Sequence, residues 1–590
     1  MTFLRELLAV ILGVFIAMAI MFVVFIAIIS ASASSFGEDK KVTVKDNSVL
    51  ELDLVNNIKD YAPKSTDPFA DILDLKDGNL GLQEVLNAIE NAKTDDKIKG
   101  ISINSLFINA GISQTKAIRD KLAEFKESGK FVYAWADFYL QKNYYLSSIA
   151  DSVFINPIGE IDFKGLSSEV MYYKNLQDKT GVKMEVIRQG KYKSAAEPYL
   201  DDKMSKANRE QIGSFLHGIW DELLIGVGTE REKTEEELNT IADNLWARTP
   251  KMAVNHKMID GELYMDQYDD LLRTKMGLDS LADLEKVTIA NYILTGKGRI
   301  KSSATDKIGV LYAQGEIMDV EGTIDIIGPE KINESLKKLR EDDKVKAIVL
   351  RINSPGGSAL ASDKILREVE LTKKTKPVVV SMGDVAASGG YYIACKADKI
   401  FAQPTTITGS IGVFALVPNF SKLADDIGIN AEQVSTNTHA VGYTAFEPMT
   451  ANFKKVTKEA IGRIYNTFLS HVSEGRNMTI AQVDSIAQGR VWTGKQAMEI
   501  GLVDEMGGLQ EAVAAAAELA NISDYRLVNY PRYKTDFSEV FNPWSFLGTK
   551  KDEIIKQQTG EPLFKVYNEL KRITGQKGIQ ARMPYLLEIK

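Results

Sequence analysis

Two rhythms of hydrophobic and polar residues run along this chain. Near its start, Leu7 to Ile29 forms 23 consecutive residues without a charge, rich in Ile, Val, Phe and Ala. A run of that length crosses a bilayer core as a helix, whereas a secretory signal has an apolar region of roughly 7–15 residues. The pattern predicts an uncleaved transmembrane anchor over residues 1–31, even though Ser30-Ala31-Ser32-Ala33-Ser34 resembles a cleavage site. Arg5 precedes the run, and Lys40, Lys41 and Lys45 follow it among Glu38, Asp39 and Asp46. The positive-inside rule therefore sets no orientation.

Beyond the anchor, short β-branched runs alternate with helix-like stretches. Ala347 to Ile352 is followed by Ala361 to Leu371 and then by Pro377 to Ser381. This alternation predicts βαβ units and a parallel sheet, hence an α/β fold. The pattern is also written twice. Asp95-Asp96-Lys97-Ile98-Lys99-Gly100-Ile101 returns as Asp342-Asp343-Lys344-Val345-Lys346-Ala347-Ile348, an offset of 247. The same offset carries Tyr144-Tyr145 onto Tyr391-Tyr392, Ala150-Asp151 onto Ala397-Asp398, Pro157 onto Pro404 and Gly165 onto Gly412. Small indels then enter, and Glu197-Pro198 pairs with Glu447-Pro448. A polar stretch from Thr295 to Ser303 separates the copies, before an expected strand at Ile308 to Tyr312. The expected organisation is an anchor over 1–31, one domain over 32–300, a second over 301–525 and an extension over 526–590.

Composition changes this picture mainly by exclusion. With 590 residues, 44% hydrophobic and 26% charged, the chain is ordinary globular protein with more than one core. Its net charge of -8 gives no general attraction to nucleic acid. Cys395 is the one cysteine, which rules out an intramolecular disulfide or a paired-cysteine zinc site; it reads as a small buried residue. The four histidines, His217, His256, His439 and His471, form no HExxH spacing. No metal or organic cofactor is expected.

Candidate chemistry concentrates in the second copy. A strand expected to end at Met382-Gly383 leads into Asp384-Val385-Ala386-Ala387-Ser388-Gly389-Gly390-Tyr391, with small residues on both sides of Ser388 and a helical run after it. Amide dipoles at a helix N-terminus favour the negative charge that a serine's attack on a carbonyl creates. Alone, this reads as a serine N-cap beside a glycine turn, a common arrangement. Two neighbouring loops strengthen the site: Asn353-Ser354-Pro355-Gly356-Gly357, whose glycines let backbone N–H groups face a ligand, and Thr408-Gly409-Ser410-Ile411-Gly412. The first copy acts as a control, because at the 247 offset Gly356, Gly357, Ser388 and Ser410 become Asn109, Ala110, Gln141 and Phe163. The fold is shared, yet none of the four is retained.

A serine nucleophile needs a base. The first copy offers Lys193 within Gly190-Lys191-Tyr192-Lys193-Ser194-Ala195-Ala196-Glu197-Pro198, where the second copy has Tyr443. Such a lysine must be neutral, its pKa brought down from about 10.4 by desolvation in a dry cleft. Lys191 is its nearest rival on spacing alone, and His439 is an alternative base.

Together these residues resemble peptidase family S49 in its long, duplicated signal-peptide-peptidase form, from about Val49 to Ala520. Ala386-Ala387-Ser388-Gly389-Gly390-Tyr391, Asn353 to Gly357, Thr408 to Gly412, Tyr192 to Ala195 with Glu197-Pro198, and Val491-Trp492-Thr493-Gly494 with Gly501-Leu502-Val503-Asp504 carry the resemblance. It implies a serine peptidase with a Ser–Lys dyad, Ser388 as nucleophile and Lys193, rather than Lys191, as base. Gly356 or Gly357 and Gly389 are then the oxyanion donors, and Ser410 supports the neutral lysine. It further implies tandem ClpP/crotonase-like domains of βαβ spiral units, hydrophobic signal-peptide remnants as substrate and a homotetramer enclosing a bowl. The location implied is the bacterial inner membrane, with residues 7–29 in lipid and the catalytic part in the periplasm. A crotonase-type acyl-CoA enzyme and an inactive membrane scaffold are the rival readings. Phe541 to Leu547 reads as core packing rather than membrane-surface contact.

Overall fold

A computed structural model of the chain describes residues 42–63, 78–533 and 579–583, with a few positions between 5 and 21. The expected span at 7–29 lies almost wholly outside the described residues, and the segment Phe541 to Leu547 lies outside them. Among the described residues, no helix is long and apolar enough to cross a membrane.

Each copy builds an α/β unit around one sheet. In the first, the strand order is Gly261–Glu262, Ser152–Asp162, Phe131–Leu140, Ile98–Ile103, Ser48–Leu52 and Lys286–Thr288, all parallel. In the second, Lys399–Ala402, Val378–Ala387, Val345–Ser354, Lys307–Gln314 and Arg526–Tyr530 repeat that parallel order. Arg526–Tyr530 thus takes the edge place that Lys286–Thr288 takes in the first unit. The strands read as continuous apolar runs because helices cover both faces. Leu82–Thr94 buries Val85 and Ile89, and Ile112–Lys126 buries Ile118, Leu122 and Phe125. Cys395 is buried in the second core.

The duplication extends to individual hydrogen bonds. Asp151 accepts from Val132 N at 2.8 Å, and its counterpart Asp398 accepts from Val378 N at 2.8 Å. The Tyr144 hydroxyl donates to Met258 O at 2.6 Å, and that of Tyr391 to Leu502 O at 2.8 Å. These bonds fasten helix and loop ends to the sheet, and leaving one of the two buried tyrosine hydroxyls unpaired costs more than its bond contributes.

One strand outruns the expected pattern. Val378–Ala387 does not stop at Met382-Gly383 but runs on to the residue before Ser388, with a register shift against Val345–Ser354. The small residues that read as a loop are buried strand residues. Val385–Ala387 is paired with Ile407–Gly409.

The units are joined by a third, mixed sheet in the order Ile326–Ile327, Glu316–Ile317, Gly356–Ser358, Gln580–Arg582, Val413–Asn419 and Lys183–Gln189. The last strand belongs to the first copy and runs antiparallel to Val413–Asn419 from Gln189 opposite Val413 to Lys183 opposite Asn419. A buried ion pair adds a second joint. Arg351 lies 2.7 Å from Asp60 with both side chains nearly inaccessible, and it also donates to Ser381 Oγ and Met382 O. Asp384 caps Ile112–Lys126 by accepting from Ser113 N at 2.8 Å. Burial, with Asp60 nearby, pushes its carboxyl up to about 6.

Removing one partner of a buried ion pair leaves the other charge uncompensated. Asp60→Ala is expected to cost about 3–5 kcal/mol of stability, read as a lower urea midpoint; an unchanged midpoint would mean that Arg351 needs no counter-charge.

Candidate active site

Ser388 stands at the end of the long strand Val378–Ala387 and caps the helix Gly389–Ala394. Its backbone has φ 56° and ψ -112°, a region that costs a non-glycine residue on the order of 1–3 kcal/mol. The conformation is held from both sides: Ser388 N donates to Gly409 O at 2.8 Å, and Ser388 O accepts from Tyr392 N at 2.8 Å. The hydroxyl is thereby presented at the strand–helix junction.

Lys193 arrives from the other unit. The strand Lys183–Gln189, fixed in the third sheet, leads through Gly190 into a turn that ends in the short helical segment Ser194–Ala196. Lys193 Nζ lies 2.8 Å from Ser388 Oγ, and donates to Ser410 O and Ser410 Oγ at 3.0 Å each. Lys193, Ser388 and Ser410 are all 0% exposed. Desolvation holds the Lys193 amine well below its ordinary pKa, and no carboxylate among the described residues pairs with it. A neutral amine has two N–H groups and one lone pair. Two donations to Ser410 leave that lone pair for the Ser388 proton.

The lysine loop is braced on its own side. Glu197, itself buried, accepts from Ser205 N at 2.8 Å, from Ser205 Oγ at 2.7 Å and from the Tyr172 hydroxyl at 3.0 Å. Gln211 Nε2 donates to Tyr192 O and to Ser194 Oγ. Across the cleft, the Lys193 stem presses on Gly489 and Gly412: a Cβ on Gly489 would lie 2.7 Å from both Lys193 N and Cβ, and one on Gly412 would lie 3.2 Å from Cδ. Gly489, at φ 80°, belongs to none of the sequence motifs above, although it sits directly before Arg490-Val491-Trp492.

The predicted oxyanion residues also converge. Gly356, at φ 95°, approaches so closely that a Cβ there would lie 2.6 Å from Gly389 N. Gly357 follows it in the strand Gly356–Ser358. The two rival bases are elsewhere. Lys191 is exposed with its amine over the Tyr192 ring, and His439 is exposed beside Asn452.

In the first copy, the equivalent space is filled. Gln141 Oε1 accepts from Lys164 N and Gly165 N at 3.0 and 2.9 Å. Phe163, where the second copy has Ser410, is buried against Tyr144 and Trp220. Tyr443, opposite Lys193 in the repeat, donates its hydroxyl to Pro418 O.

Comparison with known proteins agrees with the duplication. The sequence model of peptidase family S49 matches residues 124–279 and again 370–523. Protease 4 of Haemophilus influenzae is 34% identical over 520 residues, covering 85% of this chain and 84% of its own. Protease 4 of Salmonella typhi is 36% identical over 502 residues, covering 83% and 80%. The chloroplastic serine protease SPPA of Arabidopsis thaliana is 30% identical over 549 residues, covering 92% and 78%.

A buried lysine whose folded pKa is depressed is neutral in the folded state and charged in the unfolded state across the window between the two pKa values. The unfolded state then binds more protons, so stability rises with pH through that window. Lys193→Met, which removes the buried amine, is therefore expected to raise the unfolding midpoint at neutral pH. The gain should shrink as pH climbs toward the ordinary lysine pKa; a pH-independent difference would show that the amine is not neutral in the fold.

Proposed function

The chain belongs to peptidase family S49 and is a serine peptidase, and from that premise we propose that Ser388 is its nucleophile and Lys193 its general base, one from each copy of the duplicated fold. The observation that carries this reading is the 2.8 Å contact between a fully buried, desolvated amine and a serine hydroxyl. Geometry of that kind satisfies the first requirement of a general base, which is reach, and the lowered pKa satisfies the second.

In this mechanism Lys193 accepts the Ser388 proton as Oγ attacks a peptide carbonyl. Gly389 N and a glycine N–H from Gly356 or Gly357 stabilise the developing oxyanion. The lysine then returns its proton to the leaving amine. A water deprotonated by the same lysine hydrolyses the acyl-enzyme. Ser410 holds the amine in register throughout, and no step calls for a metal or organic cofactor.

The substrates proposed are cleaved signal peptides and similar hydrophobic peptides. Strands Gly356–Ser358 and Val413–Asn419 flank the site in one sheet with Gln580–Arg582 paired between them, and an extended peptide pairs with such strands by β-strand addition. Residues 7–29 would anchor the protein in the bacterial inner membrane with the catalytic part in the periplasm. The chain would assemble as a homotetramer around a bowl, its two domains, 32–300 and 301–525, forming ClpP/crotonase-like spirals with 526–590 as an extension.

Ser388→Ala and Lys193→Ala are each expected to lower kcat on an apolar reporter peptide by roughly 10⁴-fold or more; substantial turnover by either variant would remove that residue from the dyad. A fluorophosphonate probe should label Ser388 in the wild-type protein, with labelling falling as pH drops and Lys193 takes up a proton. A crotonase-type enzyme would leave Ser388 unlabelled.

A further inference from the structure

The turn that carries Lys193 is gripped by a side chain of the other copy. The guanidinium of Arg490 lies 5.0 Å from the centre of the Tyr192 ring and 4.3 Å from that of Trp492, both within cation–π reach. Tyr192 belongs to the first copy and directly precedes the lysine, whereas Arg490 and Trp492 belong to the second. Arg490 Nη1 donates to Glu210 Oε1 at 2.9 Å, again on the first copy, and the Tyr192 hydroxyl lies 3.3 Å from both Glu210 oxygens. Arg490 Nε is buried with no hydrogen-bond partner among the described residues. An unpaired buried donor is unfavourable, so the guanidinium is placed by its packing between the rings rather than by its hydrogen bonds.

The backbone of the same loop reaches the dyad. Gln488 O accepts from Tyr192 N at 2.8 Å, Arg490 O accepts from Ser410 N at 2.6 Å, and Gly489 O accepts from Ser410 Oγ at 3.4 Å. One short loop of the second copy thus holds both the residue before Lys193 and the residue that receives the lysine N–H groups. Trp492 is fixed opposite Thr408, two residues before Ser410. The first copy has the same loop without the arginine. Leu245-Trp246 aligns with Val491-Trp492, which puts Asn244 where the second copy has Arg490. Asn244 donates to Thr240 O at 2.8 Å, and Trp246 stacks on His256 instead. The fold does not require an arginine at this place; the copy that holds Ser388 has one.

We propose that Arg490 is a positioning residue of the peptidase: sandwiched between Tyr192 and Trp492, it clasps the lysine turn against the second copy and keeps water from the Lys193 amine. The proposal rests on the Ser388–Lys193 reading. Burial is the cause of the lowered lysine pKa, so the contact that seals the turn also sets the pH at which the amine can act as a base. The charged and titratable groups around the turn are few. On the first copy they are Arg188, which donates to Lys193 O at 3.4 Å, with Lys191, Tyr192 and Glu210; on the second they are Arg490 and Asp484, the latter accepting from Gln488 Nε2 at 2.6 Å. None of them bonds to Lys193 Nζ, whose partners are Ser388 and Ser410.

The test is the pH dependence of fluorophosphonate labelling of Ser388 in the full chain, wild type against Arg490→Met, with turnover of the apolar reporter peptide followed in parallel. Loosening the clasp hydrates Lys193 and raises its pKa, so the acid limb is expected to move up by about one pH unit, roughly tenfold slower labelling on the acid side, with the alkaline plateau kept. Tyr192→Leu, which breaks the same sandwich from the other copy, should give the same shift, and the double variant no more than either alone. Lys191→Ala removes the exposed cation over the same ring and should leave the limb in place. An acid limb unmoved in Arg490→Met or Tyr192→Leu, or labelling reduced by one factor at every pH, overturns the clasp while leaving the dyad intact; an equal shift in Lys191→Ala overturns the assignment to Arg490. Labelling that survives Lys193→Ala defeats this proposal and the dyad together.

Discussion

An amine withdrawn from water with no carboxylate to answer it is one of the least favourable arrangements a fold can hold, because the charged form loses several kcal/mol of hydration. Among the described residues no carboxylate pairs with Lys193, and the architecture around it is the means of keeping it there. Its strand, Lys183–Gln189, is held by a full antiparallel ladder to Val413–Asn419 of the other unit. Its stem packs on two glycines, Gly489 and Gly412, where an added methyl group would crowd it. Its three polar contacts are two hydroxyls and a carbonyl, none of which bears a charge. The Asp60–Arg351 pair and the Asp384 cap add further joints between the two units. The energy stored in the unfavourable protonation state is drawn from this packing, in the way that strained active sites generally depend on the rest of the molecule.

Much of this was legible from residues alone, and unevenly. The 247 offset identified two copies of one α/β unit, and the copies indeed repeat both strand order and the aspartate and tyrosine bonds that fasten it. Ser388, Gly356, Gly357, Gly389 and Ser410 stood out because the first copy lacks most of them. Lys193 was harder, since a lysine among small residues has no periodicity that separates it from Lys191. What distinguishes the two is a backbone turn set by long-range pairing between residues some 230 positions apart, and no local pattern encodes that. The end of the strand Val378–Ala387 was misplaced for a related reason: glycine and alanine depress strand propensity, but pairing with Ile407–Gly409 overrides it. Gly489 and residues 579–583 were invisible for the same cause, because each matters only through what it touches across the cleft.

The first copy shows how a duplicated fold loses a site without losing stability. Gln141 takes the place of Ser388 and satisfies the Lys164 and Gly165 amides with its side chain, while Phe163, in the place of Ser410, packs into an aromatic cluster with Tyr144 and Trp220. The space is sealed by ordinary core packing, so that unit carries no strained serine at the corresponding junction. Freed from that burden, its following segment, from Lys183 onward, serves the neighbour instead.

That division has a consequence in time. The ribosome delivers Lys193 long before Ser388, and Gly489, against which the lysine stem closes, later still. A partly synthesised chain therefore holds the amine of Lys193 but not Ser388, and the two can meet only when the second unit has emerged and the strand Lys183–Gln189 has paired with Val413–Asn419. For a peptidase made in the company of other unfinished polypeptides, placing the proposed Ser388–Lys193 pair on two copies ties its competence to the near-completion of its own folding.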